Sequence, residues 1–457
     1  MRASGAAIRV IVVGLGVWSG LSLVGLPDLA EAGSPGSKPP NVIVELGKQL
    51  FERKWIANDP RCHNGDGLGP VFNEASCVAC HNLGGVGGAG SNARNVVIVA
   101  PITTGRLGIE GTQAEQARRL AEIVKFETGF PVAGSVVLHK AGTRPAYDVW
   151  KTWLLAKEFP MFTLRKSERN TPSLFGTGLI DALPDSVLEE VERRQTAIDS
   201  EISGRVCRLK DGRIGRFGWK AQIPSLEEFV LTACSVELGL EVPGHHQSID
   251  PSSSLKSKTQ GQVAELDLTS GDCVALVSYI RSLPTPVQIE PVSRAVSEKW
   301  LEGGALFKSI GCATCHLPTL GNIDGIYSDL LLHDLGPANS DSGAYYSEPI
   351  EERSDLVVAS AAPADSNLEK GASKPKPVIG AESVEWRTPP LWGLRDTAPY
   401  LHNGGAKTLE DAIAQHRGEG SGAAARFARL SGMEQGKIRG FLMSLAAPSP
   451  SGPRTDQ

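Results

Sequence analysis

Cys77-Val78-Ala79-Cys80-His81 and Cys312-Ala313-Thr314-Cys315-His316 are the segments of this chain best equipped for chemistry. Two cysteines three positions apart on a helical turn bring both thiols to one side. A histidine directly after the second cysteine then faces whatever the thiols hold. This matches thioether attachment of a c-type haem, with the histidine as proximal iron ligand. A structural zinc site needs a closed tetrahedral set, which two cysteines and an adjacent histidine supply poorly. A dithiol redox pair has no need of that histidine. The expectation is two covalently bound haem c groups. Cys77, Cys80, Cys312 and Cys315 are the attachment residues, and His81 and His316 the iron ligands. The chemistry is electron transfer or redox catalysis.

The opposite face of each iron separates those two outcomes. A sixth protein ligand favours electron transfer, whereas an open position admits a small oxidant. The chain has four methionines, Met1, Met161, Met433 and Met443. Met1 belongs to the leader and Met443 to a closing helix, which leaves Met161 and Met433 as weak candidates. Of the remaining histidines, His63, His139, His245, His246 and His416 read individually as hydrogen-bonded structural residues. His333, in Leu332-His333-Asp334-Leu335, follows the second motif, and Asp334 is placed to orient its ring. His333 is therefore expected as a metal ligand on the second iron. His402, after Pro399-Tyr400-Leu401, is expected to border the second haem.

These residues need elements to position them. Residues 43–55 read as an amphipathic helix with Ile43, Leu46, Leu50 and Phe51 at helical spacing. This helix contains Gly47-x-x-Leu50-Phe51, and Gly303-x-x-Leu306-Phe307 repeats the pattern before the second motif. Thr171-Pro172-Ser173-Leu174-Phe175-Gly176 is echoed by Thr388-Pro389-Pro390-Leu391-Trp392-Gly393. Closing helices are expected over 274–283 and 437–445, each followed by proline, a stop signal. Helix, haem motif, long middle and closing helix thus occur twice, a duplicated architecture. Further helices are expected at 113–127 and 185–196, a linker at 284–291, and a disordered surface insertion at 356–377. The fold class expected is mainly α, with two cytochrome c-like haem domains, 41–286 and 292–448, carrying long loops and insertions.

The chain has 457 residues, 41% of them hydrophobic and 21% charged, ordinary values for a globular protein. A net charge of −5 gives no basic surface for nucleic acid. Arg2 and Arg9, an apolar stretch over 10–26 and Ala30-Glu31-Ala32 read as a signal peptide cleaved near Ala32. A retained membrane anchor is the rival reading. No later segment is long and apolar enough to span a bilayer, so a periplasmic or otherwise exported protein is expected. Cys62, Cys207, Cys234 and Cys273 lie outside the motifs. In an oxidising compartment they pair as disulfides or stay as buried thiols.

The stretch Arg387-Thr388-Pro389-Pro390-Leu391-Trp392-Gly393-Leu394-Arg395-Asp396-Thr397-Ala398-Pro399-Tyr400-Leu401-His402-Asn403-Gly404-Gly405 resembles the bacterial di-haem cytochrome c peroxidase superfamily. Asp66-Gly67-Leu68-Gly69-Pro70-Val71-Phe72-Asn73, Gly215-Arg216-Phe217-Gly218-Trp219-Lys220 and Tyr327-Ser328-Asp329-Leu330-Leu331-Leu332-His333-Asp334 are similar to its di-haem oxidoreductase group, also called thiol oxidoreductase-like. The resemblance implies a two-domain protein in which one haem relays electrons and the other meets hydrogen peroxide or another small oxidant. It also implies an electron-donor protein (a small cytochrome or cupredoxin), an aromatic bridge between the haems, and calcium between the domains. Trp219 and Trp392 are the bridge candidates. Leu335 and Pro390 stand where relatives carry methionine, so the second iron is ligated by His333, ligated by a tyrosine, or open. A non-catalytic di-haem electron carrier, or a subunit of a respiratory assembly, is the alternative function. Oxidation of an organic or protein substrate is a third.

Overall fold

Helix α1 (Asn41–Glu52) buries Gly47, Leu50 and Phe51 and leaves Leu46 exposed. The buried face meets helix α7 (Ser270–Arg281), which contributes Leu276, Tyr279 and Ile280. A β-carbon on Gly47 would overlap the Ala275 carbonyl and lie 2.7 Å from Cβ of Tyr279. Glycine is therefore what lets the two backbones touch. The second half repeats this crossing with helices α8 (Arg294–Ser309) and α11 (Gly432–Leu442). There a β-carbon on Gly303 would overlap the Lys437 carbonyl and lie 2.9 Å from Cβ of Phe441.

We describe the computed structural model over residues 41–102, 135–158, 163–198, 201–252, 265–341, 343, 345 and 379–448. The leader, the helix expected at 113–127, Met161 and the insertion at 356–377 lie outside the described residues. Between the crossing helices run α2 (Cys77–Cys80), α3 (Pro145–Ala156), α4 (Thr177–Asp181), α5 (Asp185–Ile198), α6 (Leu226–Glu237), α9 (Leu409–Ala414) and α10 (Ser421–Arg429). No helix among the described residues is long and apolar enough to cross a membrane.

The closing helices start several residues earlier than their apolar pattern suggests, because each opens on a capping box. Thr269 Oγ1 accepts from the Asp272 amide while Asp272 Oδ2 accepts from the Thr269 amide. Ser431 and Glu434 do the same for α11. Each box satisfies donors that helix geometry leaves orphaned.

The expectation of a mainly α protein needs correction, since strands are also part of the architecture. Val96-Val97-Ile98-Val99 is a β-branched run. It forms the centre of an antiparallel sheet in which β1 (Val96–Ile102) lies between β2 (Val136–Val137) and β3 (Thr163–Arg169). The expected linker at 284–291 contains β4 (Val287–Gln288), and β5 (Leu332–Asp334) pairs with β6 (Glu385–Arg387). β4 pairs with β7 (Leu445–Ala446), tying the junction to the end of the second frame.

The main apolar cluster joins Leu50, Phe51, Leu226, Val230 and Leu276 to Leu320, Ile326, Leu330 and Trp392 from beyond the junction. A second cluster gathers Phe307, Leu409, Phe427, Ile438, Phe441 and Leu442. Both helix crossings nevertheless belong to one compact unit.

Candidate haem centres

Each Cys-x-x-Cys-His motif leaves its helix crossing and enters a cavity wall. Cys77, Cys80 and His81 line a first cavity of about 110 Å³ with Phe51, Thr171, Trp219 and Glu237. Cys312, Cys315 and His316 line a second of about 300 Å³ with Leu391, Tyr400, His402 and His416. Ser76 caps α2, its hydroxyl accepting from the Ala79 amide at 3.3 Å. His81 and His316 each donate a backbone bond, 3.0 Å long, to the first cysteine of their motif.

The two histidines are held alike. Nδ1–H of His81 donates to the Gly88 carbonyl (3.1 Å) and Nδ1–H of His316 to the Tyr327 carbonyl (3.0 Å). A carbonyl only accepts, so Nδ1 carries the proton and Nε2 keeps its lone pair. The Phe51 ring stands 6.2 Å from His81, and Phe307 stands 6.3 Å from His316. Burial lowers His81 to about 4, against the bonds to the Gly88 and Pro172 carbonyls. His316 also falls to about 4, through burial and then the neighbouring His416. Both imidazoles are therefore neutral near pH 7, as metal ligation requires.

The cysteines are not poised for thiol redox chemistry. Burial drives Cys77, Cys80 and Cys312 up to about 12 and raises Cys315 as well. A reactive dithiol would need the opposite shift. Paired thiols beside an orientable imidazole, on the wall of a largely apolar cavity, fit a flat hydrophobic macrocycle with a central metal. Cys62, Cys207, Cys234 and Cys273 are free thiols in this structure.

His333, expected as an iron ligand, stands between two carboxylates at the edge of the second cavity. It is 3% exposed, with Nδ1 donating to Glu419 Oε2 (2.6 Å) and Nε2 to Asp329 Oδ2 (2.9 Å). Burial alone would favour the neutral ring. The Asp329 charge, with hydrogen bonds to Asp329, Cys315 and Glu419, outweighs it and holds the pKa well above the ordinary value. Both nitrogens are thus committed to carboxylates, and the ring borders the second cavity as an imidazolium. Cys315, Asp329 and His333 hold donor atoms within 4.8 Å of one another. That set lacks the all-oxygen character calcium takes.

Met433 is 73% exposed on α11, and Met443 packs against the second apolar cluster. His402 borders the second cavity, stacked on Trp386 at 3.6 Å. Trp219 lines both cavities and donates Nε1–H to the Asn170 carbonyl (2.8 Å). Trp392 lines only the second and packs against Gly176.

Two residues escaped sequence reasoning. Glu237, at the end of α6, accepts from Asn73 Nδ2 through Oε2 (2.7 Å), while its buried Oε1 has no partner among the described residues. Burial raises its pKa to about 7. His416, just past α9, points its ring at the second cavity beside His316. Nothing local in either sequence neighbourhood marks it as functional.

Residues 161–445 match the family profile described as "Di-haem oxidoreductase, putative peroxidase". Hydrazine synthase subunit gamma of Kuenenia stuttgartiensis is 29% identical over 143 residues, which is 30% of this chain and 39% of that protein. Cytochrome-c peroxidase IdrP2 of Pseudomonas sp. (strain SCT) is 32% identical over 164 residues, covering 34% and 41%. The chain thus spans about two fifths of the length of these curated relatives. Among solved structures, Kuenenia stuttgartiensis hydrazine synthase pressurized with xenon aligns with a TM-score of 0.31 and 19% identity, covering 61% of this chain and 73% of that one. A MauG-like protein associated with microbial copper homeostasis aligns at 0.28 and 16%, covering 59% and 92%. The profile match extends over more than half of the sequence, from before Thr171-Pro172 to the end of the second frame. The chain belongs to the di-haem oxidoreductase family.

Proposed function

We propose that this chain is an exported di-haem c-type oxidoreductase with peroxidase-like activity. Haem is attached at Cys77 and Cys80 and at Cys312 and Cys315, with His81 and His316 as proximal ligands. These are the centres of two cytochrome c-like units, 41–286 and 292–448. A small cytochrome or cupredoxin supplies electrons, and hydrogen peroxide or another small oxidant receives them. The bound haems supply the iron centres for that electron transfer.

The shared wall between the cavities carries the reading. Asn170, Thr171, Pro172, Gly218 and Trp219 line both, so two redox centres would face each other across one layer of protein. Reducing a peroxide takes two electrons and two protons, and paired centres can deliver two electrons in succession. Trp219, fixed by its bond to Asn170, gives that layer an aromatic side chain. Glu237 lines the first cavity, leaves Oε1 without a partner among the described residues, and holds a proton below about pH 7, the range suited to a proton donor.

The test is the full-length protein, made in a host that matures c-type cytochromes. Two covalent haems are expected by mass and by pyridine haemochrome, with peroxide-dependent oxidation of a reduced small cytochrome. His81→Gly and His316→Gly should each perturb one haem spectrum and spare the other. A colourless product, or native spectra in both variants, overturns the assignment. Two intact haems that leave peroxide untouched favour the electron-carrier alternative.

A further inference from the structure

We propose that His416 is the second axial ligand of the iron held by His316, closing the second centre and leaving the first open. This deepens the reading above and rests on haem being attached at Cys312 and Cys315.

The rings of His316 and His416 both line the second cavity, their centres 6.5 Å apart with planes at 62°. Two imidazoles ligating one metal ion from opposite faces, with bonds of about 2.0–2.1 Å and ring centres about 1.1 Å behind each nitrogen, hold their centres roughly 6.3 Å apart. The observed separation suits one ion between them. It is too wide for a direct hydrogen bond between the rings, and an edge-to-face contact at this distance leaves room for an ion between them.

Each ring is also prepared in the same way. Nδ1–H of His416 donates to the Ala412 carbonyl at 2.8 Å, as Nδ1–H of His316 does to Tyr327 at 3.0 Å. Both Nε2 atoms are left without a hydrogen bond among the described residues. A bond from the far nitrogen to a backbone carbonyl is the usual second anchor of a metal-bound imidazole.

The chain around His416 is built to hold that pose. Thr408 caps α9, its hydroxyl accepting from the Asp411 amide at 3.1 Å. Leu409 and Ala412 anchor the helix in the core, and the His416 amide donates to the Ile413 carbonyl at 3.1 Å. Gly420 packs against the ring's own Cβ, where an added β-carbon would lie 3.0 Å away. His333, the alternative from sequence, has both nitrogens bonded to carboxylates. Among the described residues that line the first cavity, His81 is the only histidine.

Electron paramagnetic resonance of the oxidised, fully loaded protein tests the assignment. The wild type should show one low-spin bis-imidazole haem and one high-spin haem. His416→Gly should lose the low-spin signal entirely, keep both covalent haems by mass, and recover the signal with added imidazole. His416→Met should stay six-coordinate, with its near-infrared charge-transfer band moved and its reduction potential raised. A low-spin signal that survives His416→Gly, one lost instead in Tyr400→Phe, or a band unmoved in His416→Met overturns the proposal. Absence of covalent haem at Cys312 and Cys315 in the wild type would instead remove the reading it rests on.

Discussion

Gly47 lies directly against the backbone of Ala275, and the side chain it lacks is the reason helices α1 and α7 can meet beside the first haem motif. Gly303 and Lys437 stand in the same relation beside the second. Phe51 packs on Tyr279 at 5.4 Å, and Phe307 on Phe441 at 5.6 Å, so each crossing also carries the ring that touches its histidine.

Gly47→Ala and Gly303→Ala should therefore separate the helices. Overpacking of this kind costs about 1–3 kcal/mol, and more where the obstacle is backbone that cannot yield. Each variant is expected to lower the melting temperature and to weaken haem incorporation at its own motif. Thermal unfolding and haem counting by mass check this. Unchanged melting in both would mean the crossings have slack the packing does not show.

Glu237→Gln removes the titrating proton while keeping the shape. If Glu237 donates a proton to the oxidant, turnover should fall about 10²–10⁴-fold. Wild-type turnover should decline as pH rises through about 7, where Glu237 loses its proton. The variant should lack that limb. Stability follows the same proton. Glu237 is raised from 4.5 to about 7, so the folded chain holds a proton that the unfolded chain releases between those values. Stability should fall as pH rises across that window, and less so in the variant.

His333→Asn strips a cation from between two enclosed carboxylates, Asp329 and Glu419. Breaking a buried pair in this way costs about 3–5 kcal/mol. The raised His333 pKa sets the sign of the pH effect. Its stabilisation is complete below the ordinary imidazole value of about 6.5 and is lost as pH rises through the higher folded value. Melting curves against pH should show this, with the low-spin haem signal unaltered. Conversion of that signal to high spin would make His333 an iron ligand after all.

Trp219→Phe keeps a ring in the shared wall but gives up the bond to the Asn170 carbonyl, a loss of about 1 kcal/mol. Rapid-mixing experiments should show slower electron passage between the two haems, with both haem spectra retained. Equal rates in variant and wild type would reduce Trp219 to a packing residue.

The repeated frame was legible because its signals are local. Helical spacing of Leu50 and Phe51, the Gly-x-x-Leu-Phe repeat and the proline stops all lie within a few residues of one another. The capping boxes at Thr269 and Ser431 were equally readable and would have placed the closing helices correctly. Strands were harder. Arg169 ends a charged segment that reads as surface, yet it is 5% exposed, because Asp341 Oδ2 (2.5 Å) and the Gly343 carbonyl satisfy its guanidinium. Val287 and Gln288 look like linker until β7 arrives to pair with them.

The sequence by itself determined where a macrocycle could be fastened. Cys-x-x-Cys-His is contiguous, and a single turn of chain sets its geometry without help from distant residues. What stands across from those histidines was decided by the tertiary structure alone. His333 and His416 are both plausible by residue type, and both border the same cavity. Packing gave one of them two carboxylates and the other a backbone carbonyl. Glu237 likewise came to hold its proton up to about pH 7 only when folding removed water from its carboxylate and left one oxygen unmatched. Desolvation and long-range contact set those roles, and neither is encoded in the spacing of a motif.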